Sequence, residues 1–243
     1  MKLSIAHLYP DLLNIYGDKG NILTISRRCE WRGITVELHE ISIEQSIDPE
    51  KYDFYFIGGG QDQQQISVAK RLQEIAPQIK EAVDIGAVFL AICGGYQLFG
   101  HYYQPFNADK LEGISILDAY TVAGNTRFIG NVTIELDESF EILPKTLVGF
   151  ENHSGLTYLG EGVKPFGKVI VGNGNNGQDM GEGAVYKHVY GTYLHGSLLP
   201  KNPHFTDLLI SQALSRRYGN IILDPIDSEL ELMAHSNAIR RKY

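Results

Sequence analysis

A chain of 243 residues, 43% hydrophobic and 21% charged, has the length and apolar content to bury a core, which excludes a disordered chain. With 21 basic residues against 29 acidic ones the net charge is -8, the wrong sign for a non-specific nucleic-acid binder, and the basic clusters Arg27-Arg28, Arg216-Arg217 and Arg240-Arg241-Lys242 are short. Two cysteines are too few for a disulfide scaffold, and neither a signal-peptide core nor a membrane-spanning apolar run is present, so a cytoplasmic protein with no transmembrane segment is expected.

Residues 3–8 alternate and predict a first strand; residues 21–31 place Ile22, Ile25 and Cys29 at helical spacing and stop before Gly33. Residues 34–41 alternate as a second strand, and residues 52–57 are an apolar run that ends at Gly58-Gly59-Gly60. A helix follows, with Ile66, Ala69, Leu72, Ile75, Ile79, Ala82 and Val83 on one face, and Pro77 is expected to kink or divide it. Residues 87–92 form the most apolar strand of the chain. Strand and helix alternate, which predicts an α/β fold with a doubly wound, mostly parallel sheet buried on both faces.

The second half changes character, with short strands expected at 127–136, 147–152, 168–172, 184–188 and 190–194 between Gly, Asn and Pro turns. Gly172-Asn173-Gly174-Asn175-Asn176-Gly177 reads as a mobile hairpin loop; a helix is expected at 206–218 and a last, charged one from Ser228. No linker divides the chain, so a single domain is expected: residues 1–200 as its body, residues 201–243 as a helical extension packed on it.

Cys93 stands between the buried strand ending at Ile92 and Gly94-Gly95, with Ala91 and Gly95 as the small residues two positions to either side. That is the spacing of a nucleophile elbow, where strand and helix backbones pass closely around an exposed nucleophile at a helix N-terminus that favours a thiolate. The bland alternative is a buried structural cysteine, which is the reading for Cys29. A thiol nucleophile needs a base. His195, between Leu194 and Gly196, and His153, after Asn152, both follow short strands, where doubly wound sheets hold their sites; either is otherwise a hydrogen-bonded turn histidine. Gly58-Gly59-Gly60 ends a buried strand and can turn backbone N–H groups toward an oxyanion. No nucleotide-binding loop and no metal-ligand spacing is present, so neither cofactor nor metal is expected.

Ala91-Ile92-Cys93-Gly94-Gly95-Tyr96-Gln97 and Gly191-Thr192-Tyr193-Leu194-His195-Gly196 resemble the class I glutamine amidotransferases, which have a flavodoxin-like fold, and more narrowly their cobyric-acid-synthase-like (CobB/CobQ) branch. Leu13-Asn14-Ile15-Tyr16-Gly17-Asp18-Lys19-Gly20-Asn21, Phe56-Ile57-Gly58-Gly59-Gly60-Gln61-Asp62 and Gly149-Phe150-Glu151-Asn152-His153-Ser154-Gly155 are similar to the glutaminase subunits that serve lipid II isoglutaminyl synthase; the likeness runs to about Leu199.

The resemblance implies Cys93 as nucleophile, His195 as base, backbone N–H groups of Gly59, Gly60 and Gly94 around the oxyanion, and Gln97 and Arg127 on the bound L-glutamine. It also implies a Mur-ligase-like, ATP-using partner of the MurT type that receives the ammonia and amidates the D-glutamate of lipid II. Other acceptors, such as corrinoid side chains, and a non-catalytic regulatory subunit on the same scaffold are the alternatives. Two positions depart from the pattern: Ala91 stands where many relatives have Gly, and Ser197 where many have the Glu that orients the histidine. Glu112, Asp118 and Glu151 are the acidic candidates within the chain, and a carboxylate from the partner is the expectation, leaving the isolated subunit slow.

Overall fold

The computed structural model describes residues 1–14, 18–60 and 62–240, so Ile15, Tyr16, Gly17 and Gln61 of the quoted blocks, Arg241-Lys242 of the basic run and the end of the 201–243 extension lie outside the described residues. In chain order the first half runs β1 (Lys2–Leu8), α1 (Lys19–Glu30), β2 (Thr35–Ile41), β3 (Phe54–Ile57), α2 (Asp62–Asp84), β4 (Val88–Ile92) and α3 (Gly94–Phe99). The second half continues with β5 (Tyr102–Gln104), β6 (Leu111–Glu112), β7 (Ala119–Leu136), β8 (Thr146–Leu159), β9 (Gly167–Val171), β10 (Gly181–Glu182), β11 (Ala184–Tyr186) and β12 (Val189–Thr192). A short 3-10 turn (Leu199–Lys201) leads into helices α4 (Pro203–Tyr218) and α5 (Glu229–Arg240).

The first sheet has the order β11-β12-β4-β3-β1-β2, parallel from β12 to β2, with β11 antiparallel at one edge. Its five parallel strands follow the doubly wound order of flavodoxin-like folds, whose ligands sit beyond the strand carboxyl ends. The continuous apolar runs become β3 and β4, buried at every residue, while the alternating run becomes the half-exposed edge strand β2. Tyr55 stacks on Phe89 across β3 and β4 with ring centroids 4.3 Å apart. The result is a single α/β domain with a mostly parallel main sheet.

The second sheet, in the order β10-β9-β7-β5-β6 with β8 also on β7, is mainly antiparallel. Its two long members absorb the short strands expected at 127–136 and 147–152: β7 has 18 residues and β8 has 14, with a bulge in β7 between Ala123 and Phe128. Between the two sheets, Phe150 of β8 and His195 form an isolated antiparallel bridge, exchanging backbone hydrogen bonds of 2.8 and 3.2 Å.

Two local expectations are corrected. Pro77 does not divide α2, which is continuous from Asp62 to Asp84. Pro77 and Gln73, whose carbonyl loses its helical donor, both lie on the exposed side, so the missing bond leaves no buried group unsatisfied. The Gly/Asn segment is not a loose hairpin either: Asn175 and Asn176 are buried, and Glu151 accepts from the N–H groups of Asn173 and Gly174.

After β12 the chain returns across the molecule. Arg28 of α1, 2% exposed, is held by Asp207 of α4 through two bonds of 2.7 Å and by Glu231 of α5 at 3.3 Å. Among the described residues no helix is long and apolar enough to cross a membrane.

Candidate active site

Cys93 follows β4 and caps α3 with φ 51° and ψ -106°, a left-handed conformation that an L-residue adopts at a cost of about 1–3 kcal/mol. What holds it there is the crowding around the turn. A Cβ on Gly95 would lie 2.8 Å from the Ile57 carbonyl and 3.0 Å from that of Gly58, so only glycine lets α3 start this close to β3. The Cys93 N–H donates to the Thr192 carbonyl at 2.9 Å, and its own carbonyl accepts from Gln97 N–H at 2.9 Å, clamping the elbow between β12 and α3.

His195 reaches the same sheet edge. Thr192 lies opposite Ile92 in the β12–β4 register, so the strand ends that carry Cys93 and His195 leave the sheet side by side. Glu182 fixes the approach: its carboxylate accepts from Tyr193 N–H at 2.6 Å and from the Thr192 hydroxyl at 3.1 Å. Burial pushes the Glu182 carboxyl up to about 8, against the opposing pull of those donors. Burial, and next the nearby His153, push the His195 imidazole down to about 3, so it rests as a neutral base.

The three acidic candidates are engaged elsewhere. Asp118 pairs with His101 at 2.9 Å on the surface, Glu112 pairs with Lys110 at 3.0 Å, and Glu151 holds the 173–174 backbone. The carboxylate that faces His195 is Asp18, at the start of α1, whose Oδ1 lies 3.9 Å from His195 Nδ1; both side chains are fully buried. Asp18 Oδ2 accepts from Gly59 N–H at 2.8 Å, and burial raises this carboxyl to about 7 while that bond opposes the rise. Asp18 and Glu182 are the two residues around the site that sequence reasoning missed. Asp18 lies within a quoted block, ahead of the helix expected from Asn21, and no spacing links either residue to His195.

The remaining expected site residues divide into two groups. Gly59, Gly60 and Gly94 are at the elbow, but the Gly59 N–H is taken up by Asp18, which leaves Gly60 and Gly94, the latter opening α3 where N–H groups have no helical acceptor. Gln97 is buried; its Nε2 donates to Tyr193 Oη at 3.1 Å, while its Oε1 has no hydrogen-bond partner among the described residues. Arg127 stands further out, exposed in the β7 bulge, with Nε donating to Asn152 Oδ1 at 2.7 Å. His153, the other histidine candidate, stacks flat on Tyr193 at 3.6 Å with Nδ1 at 2.9 Å from the Gly155 carbonyl, and burial lowers it to about 4. A buried thiol in a strained turn, beside a neutral imidazole with a carboxylate behind it and backbone donors around it, can carry out nucleophilic acyl transfer.

Comparison with known proteins gives the family. The CobB/CobQ-like glutamine amidotransferase domain model matches residues 4–203. The GatD subunit of lipid II isoglutaminyl synthase (glutamine-hydrolyzing) from Staphylococcus aureus is 42% identical over 242 residues, covering 99% of this chain and 96% of that one. The GatD subunit from Streptococcus pneumoniae is 41% identical, with 92% of this chain and 85% of the relative covered. Among solved structures, a glutamine amidotransferase from Thermotoga maritima superposes with a TM-score of 0.54 over 98% of this chain and 99% of its own; at 16% identity it shares the fold. The chain therefore belongs to the CobB/CobQ-like glutamine amidotransferase family and, within it, to the branch of the glutamine-hydrolysing GatD subunits.

Proposed function

We propose that this chain is the glutaminase subunit of a two-protein lipid II isoglutaminyl synthase. In this reading it hydrolyses L-glutamine at Cys93 and passes the ammonia to a Mur-ligase-like, ATP-dependent partner of the MurT type, in the cytoplasm. The observation that carries the reading is near-full-length identity of 42% to a GatD subunit, in a chain whose elbow holds a cysteine under backbone strain.

The chemistry follows from the elbow. Cys93 Sγ attacks the carboxamide carbon of glutamine as His195 removes the thiol proton. The carbonyl oxygen gains the charge, and the N–H groups of Gly94 and Gly60 stabilise it; one such donor is worth about 3–4 kcal/mol. His195 returns its proton to the leaving nitrogen, the C–N bond breaks and ammonia departs. A water molecule that gives its proton to His195 then cleaves the thioester, restoring the thiol and releasing glutamate. In this reading Arg127 forks the substrate carboxylate, and the Oε1 of Gln97, which has no hydrogen-bond partner among the described residues, accepts from a substrate donor.

Hydrolysis alone leaves glutamate and ammonia, so the acceptor must be activated by the partner. Incubating the chain and its partner with lipid II, ATP and amide-15N glutamine tests this directly. The label is expected in the D-isoglutamine of lipid II by mass spectrometry. Unlabelled lipid II beside steady release of labelled ammonia would overturn the lipid II assignment.

A further inference from the structure

We infer that Gln65, in the first turn of α2, is a positioning residue for the oxyanion: its amide group ties the Gly60 turn to Gly94 and so holds the backbone N–H groups of both glycines in place. Three glycines in a row cannot fix their own direction. Gly58, Gly59 and Gly60 rotate freely, so the Gly60 N–H is aimed only if the peptide planes on either side of its own are anchored. The plane before it is anchored twice, by Gly59 N–H donating to Asp18 Oδ2 at 2.8 Å and by the Gly58 carbonyl accepting from Gly95 N–H at 3.2 Å. The plane after it is anchored by Gln65, whose Nε2 donates to the Gly60 carbonyl at 3.1 Å.

The same amide packs on the residue of the other donor. A Cβ on Gly94 would lie 2.6 Å from Gln65 Nε2 and 3.0 Å from its Cδ, so Gly94 leaves the space that the amide fills. A Cβ on Gly60 would clash with Leu13 Cδ2, so the turn has no slack toward Leu13 either. The polarity of Gln65 points to the same task. A helix start lacks acceptors for its first N–H groups, yet Gln65 turns a donor back to Gly60, and its Oε1 has no hydrogen-bond partner among the described residues. Gln65 is buried, and an unsatisfied buried oxygen is costly. An apolar side chain of equal length would fill the space without that cost, so the bond to Gly60 is what the amide contributes.

The inference rests on the glutaminase reading for the charge that develops on the substrate oxygen. When Cys93 adds to the carboxamide, that oxygen becomes negative and draws on both N–H groups. A Gly60 N–H that turns away weakens the tetrahedral intermediate far more than it weakens bound glutamine, whose carbonyl oxygen carries little charge. Gln65 acts through Gly60, and its loss is felt in turnover rather than in substrate binding.

Two variants test this in the complex of the chain with its partner. Gln65→Met keeps the length of the side chain without the donor, and Gln65→Glu keeps its shape but sets a carboxylate against the Gly60 carbonyl. In Gln65→Met, kcat for glutamine is expected to fall about 10- to 100-fold with KM within about twofold, a smaller loss than the ~100- to 1,000-fold of a donor removed outright. In Gln65→Glu the fall is expected to be larger. Glutamate γ-semialdehyde separates aiming from packing: the Cys93 Sγ–C bond forms, the carbonyl π electrons move onto the oxygen, and the thiol proton passes to His195. Its inhibition constant is expected to rise in proportion to the fall in kcat, and the open-chain fraction of the aldehyde, common to all the proteins, cancels in the ratio. Alkylation of Cys93 by iodoacetamide builds no charge on that oxygen, and its rate is expected to stay within about twofold. Unchanged kcat and unchanged semialdehyde inhibition in Gln65→Met would overturn the inference. Equal losses of semialdehyde inhibition and of alkylation would overturn it too, since Gln65 would then only pack the elbow. If the parent complex released no ammonia at all, the glutaminase reading would fail, while semialdehyde inhibition in parent and Gln65→Met, read by protection of Cys93 from alkylation, would still decide whether Gln65 holds the two donors.

Discussion

Cys93 illustrates how a residue is made reactive at the expense of stability. Its φ of 51° suits glycine, and the packing of Gly95 under Ile57 and Gly58 keeps the backbone from relaxing. Ordinarily Ala is more stabilising than Gly. Here Cys93→Gly is expected to exceed Cys93→Ala in stability by about 1 kcal/mol in denaturant titrations, with both variants inactive. A Cys93→Ala protein clearly more stable than Cys93→Gly would show that the elbow is not strained. Arg127 is the contrasting case, an exposed bulge residue whose removal costs little stability. Arg127→Ala is expected to raise KM for glutamine at least about tenfold while the melting temperature moves by no more than a degree or two. An unchanged KM would remove Arg127 from the substrate site.

At the scale of elements, what was legible followed the range of the determining contacts. The strands around the buried sheet announce themselves because burial on both faces demands an unbroken apolar run, as in Phe54–Ile57 and Val88–Ile92. The elbow is legible for a similarly local reason, since the glycines that permit it flank Cys93 directly. Other features depend on distant partners. The 172–177 segment reads as loose because its polar residues find Glu151 and one another only in the fold. Asp18 carries no local signal of its own because His195 lies far along the chain. Glu182 belongs to the same class: a two-residue strand gives no periodicity, yet it positions the segment carrying His195. Glu182→Ala, which leaves the buried Tyr193 N–H and Thr192 hydroxyl without their acceptor, is expected to cost about 2–4 kcal/mol in unfolding free energy. A loss under about 0.5 kcal/mol would mean that the His195 segment is held by its neighbours alone.

For the whole molecule, the buried titratable groups set opposing limits on pH. His7, His153 and His204 are lowered to about 4 and His195 to about 3, all chiefly by burial, so the folded chain refuses protons that the unfolded chain accepts below about 6.5. Their stabilisation is complete above that pH and is lost as pH falls through about 4. Asp18 and Glu182 act in the opposite sense. Raised to about 7 and about 8, they hold protons that the unfolded chain has released, and their stabilisation is lost as pH rises through those values. These histidines, with His188 and His235 also lowered by burial, outweigh two carboxyls on the acid side, and between about pH 6.5 and 8.5 the carboxyls dominate. The melting temperature is expected to peak near pH ~6.5 and to decline in both directions, which a thermal scan from about pH 4.5 to 8.5 measures. A profile still rising at the upper end would show that the two carboxyls are not held protonated in the fold.

The most direct test of the central claim is ammonia release from L-glutamine by the chain together with its Mur-ligase-like partner, beside the same complex carrying Cys93→Ala. The account predicts ammonia and glutamate in equal amounts from the parent complex and none above background from the variant. Equal release from both would contradict it, because the hydrolysis would then not pass through the Cys93 thiol.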